Sequence, residues 1–241
     1  MVTFAHTLDA LQSATTRREL WDISLRFYLD NGISRVSYHA AETNDHRGGI
    51  KTFGFDPDWV CHYIEGELIK VDPIPALAAT SSKPFFWSEA ALLVELTPEH
   101  QAYLKELAGS VSGDGLAFTA FGPKLRNAYI GLGFAHQRER PTAEQILQFQ
   151  TVAQMGHLKW CQITEEKESP NPRLSRRELE TIEWVARGKS NSDIAGILGI
   201  SPHTVDTLMR RIYEKLGVRD RTSAAIKAVG SGLLQYHDPA T

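Results

Sequence analysis

Two cysteines in 241 residues, Cys61 and Cys161, are too few for a disulfide framework or, by themselves, for a four-thiolate zinc site. A reducing compartment is the simplest reading. No apolar run approaches the roughly 20 residues needed to span a bilayer. The opening Met-Val-Thr-Phe-Ala-His has no basic stretch followed by an apolar one. A cytoplasmic protein with no membrane partner is therefore expected. No internal repeat or low-complexity tract stands out. With 42% hydrophobic and 23% charged residues, the chain is not collagen-like, a coiled coil or wholly disordered. Its length accommodates one large or two smaller domains, each with room for a core.

Charge divides the chain. Residues 171–236 carry eleven Lys/Arg against seven Asp/Glu, net +4, whereas the remainder carries −7 of the overall −3. That polarity suggests an acidic domain joined to a nucleic-acid reader. The stretch Glu165-Glu-Lys-Glu-Ser-Pro-Asn-Pro172 combines charge, two prolines and turn formers without apolar periodicity. It is expected to be a linker (165–172) between domains at 1–164 and 173–241.

On the N-terminal side the pattern predicts a helix over about Arg17–Asn31 ending at Gly32, a strand over Arg35–Ala40 and an extended segment from Ile50 to Phe55. Asp56-Pro57 opens a helix reaching Gly66, and Thr97-Pro98 opens one ending near Gly109. Strands follow over about Leu116–Phe121 and Ala128–Ala135. Thr142-Ala-Glu-Gln145 forms a capping box for a last helix over 142–162. A mostly antiparallel sheet with helices on both sides would bury these faces, an α/β/α sandwich within an α+β chain.

The C-terminal side is sharper. Ser175-Arg-Arg-Glu178 is another capping box, Gly188 stops that helix, and a second runs over Asp193–Leu198 to Gly199. Ser201-Pro202 then caps and starts a third helix, the spacing of a helix-turn-helix. At about 100° per residue, Val205, Leu208, Met209, Ile212 and Leu216 share one arc while His203, Thr207, Arg210, Arg211 and Glu214 lie opposite. A fourth helix over Thr222–Gly230 completes a small all-α domain of four helices.

Leu174-Ser-Arg-Arg-Glu178, Gly188, Ile194-Ala195, Leu198-Gly199-Ile200-Ser201, Thr204-Val205 and Lys215-Leu216-Gly217-Val218 resemble the DNA-binding domain of the LuxR/FixJ regulators. The resemblance implies that the third helix enters the major groove of double-stranded DNA, with contacts from His203, Thr204, Thr207, Arg210 and Arg211. Arginine can read guanine, whereas the other groups can also serve to fix position on phosphate. Asp206 and Glu214 would repel phosphate and are expected at the rim or in ion pairs. Glu178 and Lys189 are expected to be structural.

That module follows unlike sensors, so it does not identify the input. Phe55-Asp-Pro-Asp-Trp59-Val-Cys-His-Tyr63, Val71-Asp72-Pro73 and Phe85-Phe86-Trp87 resemble the autoinducer-binding domain of LuxR-type quorum-sensing receptors, with Gly115 a further matching position. Trp59 and Tyr63 lie four residues apart and project from one helical face. A donor-only indole, an acceptor carboxylate and an amphoteric tyrosine hydroxyl suit an acylated lactone. The resemblance implies that Trp59 donates to the lactone carbonyl, Asp72 accepts from the amide N–H, Tyr63 approaches the acyl carbonyl and Trp87 walls in the ring. Val36, Tyr38, Phe53 and Ile74 are expected to bound the tail, from apolar placement alone. Phe55 stands where several relatives have Tyr, and Gly131 where some supply Ser.

The reading is thus a ligand-responsive transcriptional regulator, not an enzyme. Its effector is an N-acyl-homoserine lactone, it needs no cofactor or metal, and as a homodimer it binds a roughly palindromic site, with RNA polymerase as a further partner. The dimer is inferred from two apolar stripes on the 142–162 helix, Ile146, Phe149, Ala153 and Trp160 on one and Leu147, Met155 and Leu158 on the other. The rivals are the same regulator answering a non-lactone small molecule, a lactone hydrolase built on His62, His100, His136 and Asp72, and a phosphorylated response regulator. The histidines lack metal-ligand spacing, and no early strand ends in paired acids.

Overall fold

A computed structural model describes residues 3–40, 49–111, 113–135, 139–165 and 173–234. The expected linker therefore lies, Glu165 excepted, outside the described residues, as does His136. The chain separates into two compact units, divided between residues 167 and 168.

In the first unit, α1 (Phe4–Ser13), α2 (Arg17–Asp30) and the long α7 (Ala143–Glu165) pack on one face of a sheet. The sheet comprises β1 (Arg35–Ala40), β2 (Ile50–Phe53), β3 (Phe85–Phe86), β4 (Gly115–Ala120) and β5 (Ala128–Gly133). The strands lie in the order β2-β1-β5-β4-β3 and every pairing is antiparallel. On the other face lie α3 (Pro57–Glu65), α4 (Pro73–Thr80), the single turn α5 (Ala90–Leu93) and α6 (Pro98–Ser110).

Local chemistry sets most boundaries. Thr16 and Glu19 close a capping box at the start of α2, and Thr142 and Gln145 exchange the same pair of bonds before α7. Asp56 and Asp72 each cap a helix whose first residue is proline, α3 and α4. Four elements go beyond the sequence expectations: α1, α4, the single turn α5 and the two-residue β3. The extended segment from Ile50 stops at Phe53 because Gly54 turns to a φ of +74°.

Alternation along the strands sorts side chains between the layers. Val36, Leu116, Phe118, Ala120, Ile130 and Leu132 join α1, α2 and α7 in the main core. Ala117 and Tyr129 point the other way, with Ile74, Ala78, Phe85, Trp87 and Ala90.

The second unit holds α8 (Arg176–Ala186), α9 (Asn191–Leu198), α10 (Pro202–Leu216) and α11 (Arg221–Gly230). Its core is Ile182, Val185, Ile194, Val205, Met209, Ile212, Leu216 and Ala224. Helix α9 begins two residues earlier than expected because Ser190 and Asp193 close a capping box. Asp220 likewise caps α11 one residue early. Gly199 and Gly217 end α9 and α10 at φ of +64° and +63°, the left-handed turn that glycine adopts without strain. Among the described residues, no helix is long and apolar enough to cross a membrane.

Candidate functional site

Between the sheet and α3, α4 and α6 lies a cavity of about 50 Å³. Its walls are Phe55, Trp59, Val60, Tyr63 and Ile64 from α3 and its lead-in, Asp72 and Ile74 at the start of α4, and Tyr103 and Leu107 of α6. Trp87 follows β3, and Ser37, His39, Ile50, Thr52 and Tyr129 form the sheet floor.

Asp72 is the polar centre. Its place as the cap of α4 aims Oδ1 at the Ile74 N–H, 2.9 Å away. Its Oδ2 accepts from the Tyr63 hydroxyl at 3.1 Å and the Tyr103 hydroxyl at 3.0 Å. Burial pushes the carboxyl up from 3.8 to about 6, against the opposing pull of the Ile74 amide, the two tyrosines and His100. Burial, reinforced by the Asp72 charge, drives both tyrosine hydroxyls well above their ordinary range, so they stay protonated donors. A carboxylate offers about four acceptor positions. Three are filled, which leaves one on Oδ1.

Aromatic rings enclose this centre. Trp59 stands 6.4 Å from Tyr103, Tyr63 6.3 Å from Tyr103 and Phe55 6.5 Å from Trp87, centroid to centroid. Trp87 lies so close to the sheet that a β-carbon on Gly115 would meet its ring atoms at 2.4–2.5 Å. Its buried Nε1 has no hydrogen bond of good geometry, although the Tyr129 hydroxyl lies beside it and Ser37. Among the described residues, the Nδ1 of His39 is also buried without a partner.

The structure thus brings Phe55, Trp59, Tyr63, Asp72, Ile74 and Trp87 to one cavity. Gly131 sits in the floor opposite Ser37, where a β-carbon would meet Ser37 Oγ at 2.5 Å and Tyr129 Oη at 2.7 Å. Three tail expectations are corrected. Val36 and Tyr38 point through the sheet to a second cavity of about 60 Å³ beside α2 and α7. There the Tyr38 hydroxyl bonds His157 Nδ1 at 2.8 Å while His157 Nε2 donates to the Arg126 carbonyl. Phe53 pairs with Val36 on that same side and is 39% exposed. Alternation leaves their neighbours Ser37, His39 and Thr52 to face the cavity around Asp72. Those residues, with Tyr103 and Tyr129, were missed. The signal for the strand residues was the polar half of the same alternation; for Tyr103 no local signal existed.

The histidines weighed for hydrolysis are scattered. His62 pairs with Glu106 at 2.8 Å on the surface, and His100 backs the Thr97 cap of α6.

In the second unit, Val205, Leu208, Met209, Ile212 and Leu216 are buried along α10. His203, Thr204, Arg210 and Arg211 are exposed on its outer side, with Thr207 half-buried and donating to the His203 carbonyl at 3.0 Å. Thr204 Oγ1 lies 2.9 Å from Ser201 Oγ at the cap. Asp206 accepts from Asn191 Nδ2 at 2.6 Å, which ties it to the start of α9. Glu178 is buried and accepts from Lys215 Nζ and from the Ser175 amide, each at 2.6 Å. The Lys189 carbonyl accepts from Arg221. An exposed cationic helix face on a small packed unit suits a polyanionic groove.

Comparison with known proteins matches the family profile described as "Autoinducer binding domain" to residues 16–160, and "Bacterial regulatory proteins, luxR family" to residues 172–228. The chain is 28% identical to transcriptional activator protein BjaR1 of Bradyrhizobium diazoefficiens, over 71% of this chain and 70% of that protein. It is 25% identical to transcriptional activator protein AhyR of Aeromonas hydrophila, over 94% and 90%. The crystal structure of Escherichia coli SdiA shares the fold, with a TM-score of 0.72 at 20% identity across 97% of this chain and 98% of that one. SdiA has also been solved in complex with octanoyl-rac-glycerol, with the same score.

Proposed function

The chain belongs to the LuxR-type autoinducer-binding transcriptional regulators, and we propose that its effector is an N-acyl-homoserine lactone bound in the cavity around Asp72. As in its family, the function is regulation of transcription through DNA and a ligand, not catalysis. The observation that carries the lactone reading is the remaining acceptor position on Asp72 Oδ1, in a cavity walled by two indoles. It fits an amide N–H. Trp59 then supplies a donor for the lactone carbonyl, and Trp87 Nε1 is a buried donor still in need of an acceptor. Tyr63 already gives its proton to Asp72. To reach the acyl carbonyl, it must turn that proton to the ligand and leave Tyr103 to hold the carboxylate.

On this reading the protein acts in the cytoplasm as a homodimer, and α10 of each protomer enters the major groove of a roughly palindromic site. Leu147 and Leu158 support the dimer: 64% and 42% exposed, they stand eleven residues apart on one side of α7. Contact with RNA polymerase belongs to the same proposal. The ligand acts by favouring the state that binds DNA.

A thermal-shift panel of acyl-homoserine lactones tests the ligand class, since a ligand that prefers the folded state raises apparent stability. A chain-dependent rise with lactones, lost in Asp72→Ala, is the expected result. Because SdiA has been solved with an acylglycerol, octanoyl-glycerol forms the non-lactone arm. A shift with that arm alone would replace the lactone by an acylated polyol.

A further inference from the structure

The head of the cavity and its floor differ in chemistry. Asp72, Trp59 and Trp87 form one end, whereas the floor is a patch of β1, β2 and β5 in which each β1 position has a neighbour on either side. In one row Ser37 lies between Thr52 and Gly131; in the next, His39 lies between Ile50 and Tyr129. Three of these six positions carry hydroxyls, and one an imidazole. A hydrocarbon tail needs none of them.

His39 is the odd member. Its ring stands 5.8 Å from Tyr63 and 5.0 Å from Tyr129, so it sits one aromatic ring beyond the anchor that Tyr63 makes with Asp72. Burial pushes the imidazole down from 6.5 to about 4. The ring is therefore neutral near pH 7, with one donor and one acceptor nitrogen. Nδ1 is buried and unpartnered. Native interiors rarely leave such an atom unsatisfied, because the lost hydration is not regained. The other buried histidine of this domain is satisfied: His157 bonds Tyr38 through one nitrogen and the Arg126 carbonyl through the other. Among the described residues, His39, which lines the cavity, is the histidine with an unpartnered buried nitrogen.

Resting on the lactone reading above, we propose that His39 is a specificity-determining residue and that the effector's acyl group carries a hydroxyl, a few atoms beyond its amide, that hydrogen-bonds His39 Nδ1. A hydroxyl both donates and accepts, so it satisfies either tautomer of the neutral ring, whereas a keto oxygen only accepts. At Gly131 a β-carbon would collide with the Ser37 and Tyr129 hydroxyls, so glycine there is what lets both hydroxyls occupy the floor beside His39.

The test is a set of dissociation constants for the full-length protein with acyl-homoserine lactones of equal chain length, bearing hydrogen, oxo or hydroxyl at the third acyl carbon, plus a hydroxyaryl lactone. The two hydroxyl-bearing arms separate an aliphatic from an aromatic carrier. In the wild type, at least one hydroxyl-bearing lactone binds about tenfold more tightly than the unsubstituted one. His39→Leu brings that preference within about twofold by weakening the hydroxylated ligand and sparing the other. His39→Asn, which keeps a polar atom near Nδ1, retains part of it. If the unsubstituted lactone binds as tightly as every hydroxylated one, or His39→Leu keeps the preference, the role of His39 is overturned while the lactone reading stands. If no lactone binds the folded protein, the lactone reading fails and this inference falls with it.

Discussion

Asp72 carries two duties that pull in opposite directions. As the cap of α4 it stabilises the fold through the Ile74 amide, yet its charge is held in a cavity walled by aromatic rings. A carboxyl raised from 3.8 to about 6 binds its proton more tightly in the folded than in the unfolded chain. Stability therefore falls as pH rises between those values, by up to about 3 kcal/mol. Asp72→Asn removes that penalty. The ligand-free variant is expected to be more stable than wild type at pH 7.5 and nearly equal to it below pH 4. Urea unfolding followed by tryptophan fluorescence reports this, since four of the five tryptophans lie in the first unit. Greater loss at pH 7.5 than at pH 4 would mean that the hydrogen bonds outweigh the burial. The wild type should also lose lactone affinity as pH drops through about 6, because a protonated Asp72 is a poorer acceptor for the amide. Gly115 is constrained by proximity: Gly115→Ala drives a methyl into the Trp87 ring and should cost about 1–3 kcal/mol together with much of the ligand response. Gly196→Ala in α9 meets nothing within 4 Å and is expected to be neutral or mildly stabilising.

At the scale of elements, what the sequence made legible was local. A capping box is a relation between residues three apart, so those at Ser175 and Thr142 were visible before any packing was known. The buried stripe of α10 was likewise visible, because fifteen residues of one helix repeat it. Strand faces were not. Alternation in Arg35–Ala40 defines two faces without saying which packs on α7 and which floors the cavity. The apolar choice, Val36 and Tyr38, belongs to the main-core side. Helix α4, Pro-Ile-Pro-Ala-Leu-Ala-Ala-Thr, is apolar nearly all round and shows no period. Tyr103 reaches Asp72 across 31 residues of sequence, a contact that only tertiary packing creates. The clearest element-scale prediction concerns the junction of α8 and α10. Burial alone would raise the Glu178 carboxyl, but Lys215 and Ser175 outweigh it and hold it below its usual range. Glu178→Ala should lower the stability of the second unit by about 1–3 kcal/mol through loss of the box and the ion pair. Calorimetry should show that transition move while the lactone-stabilised one stays.

For the whole molecule, charge is divided between the units and so are the tasks: the net-positive segment contains α10, and the net-negative remainder contains the cavity. On the proposed dimer every DNA contact is made twice, and that doubling is measurable. Each phosphate neutralised adds about 0.9 to the slope of log affinity against log salt. Arg210 and Arg211 are exposed on α10. Replacing by alanine whichever of them meets phosphate should flatten that slope by about 1.8 if two protomers bind together, and by about 0.9 if one binds alone. Operator titrations between 50 and 200 mM salt resolve the two. Adding Leu147→Glu and Leu158→Glu places charge on the exposed side of α7. It should turn the larger change into the smaller one and weaken operator binding, while lactone affinity in the distant cavity persists. A change of about 0.9 in the unmodified protein would remove the dimer from the proposal. No change with either arginine would mean that neither Arg210 nor Arg211 meets phosphate.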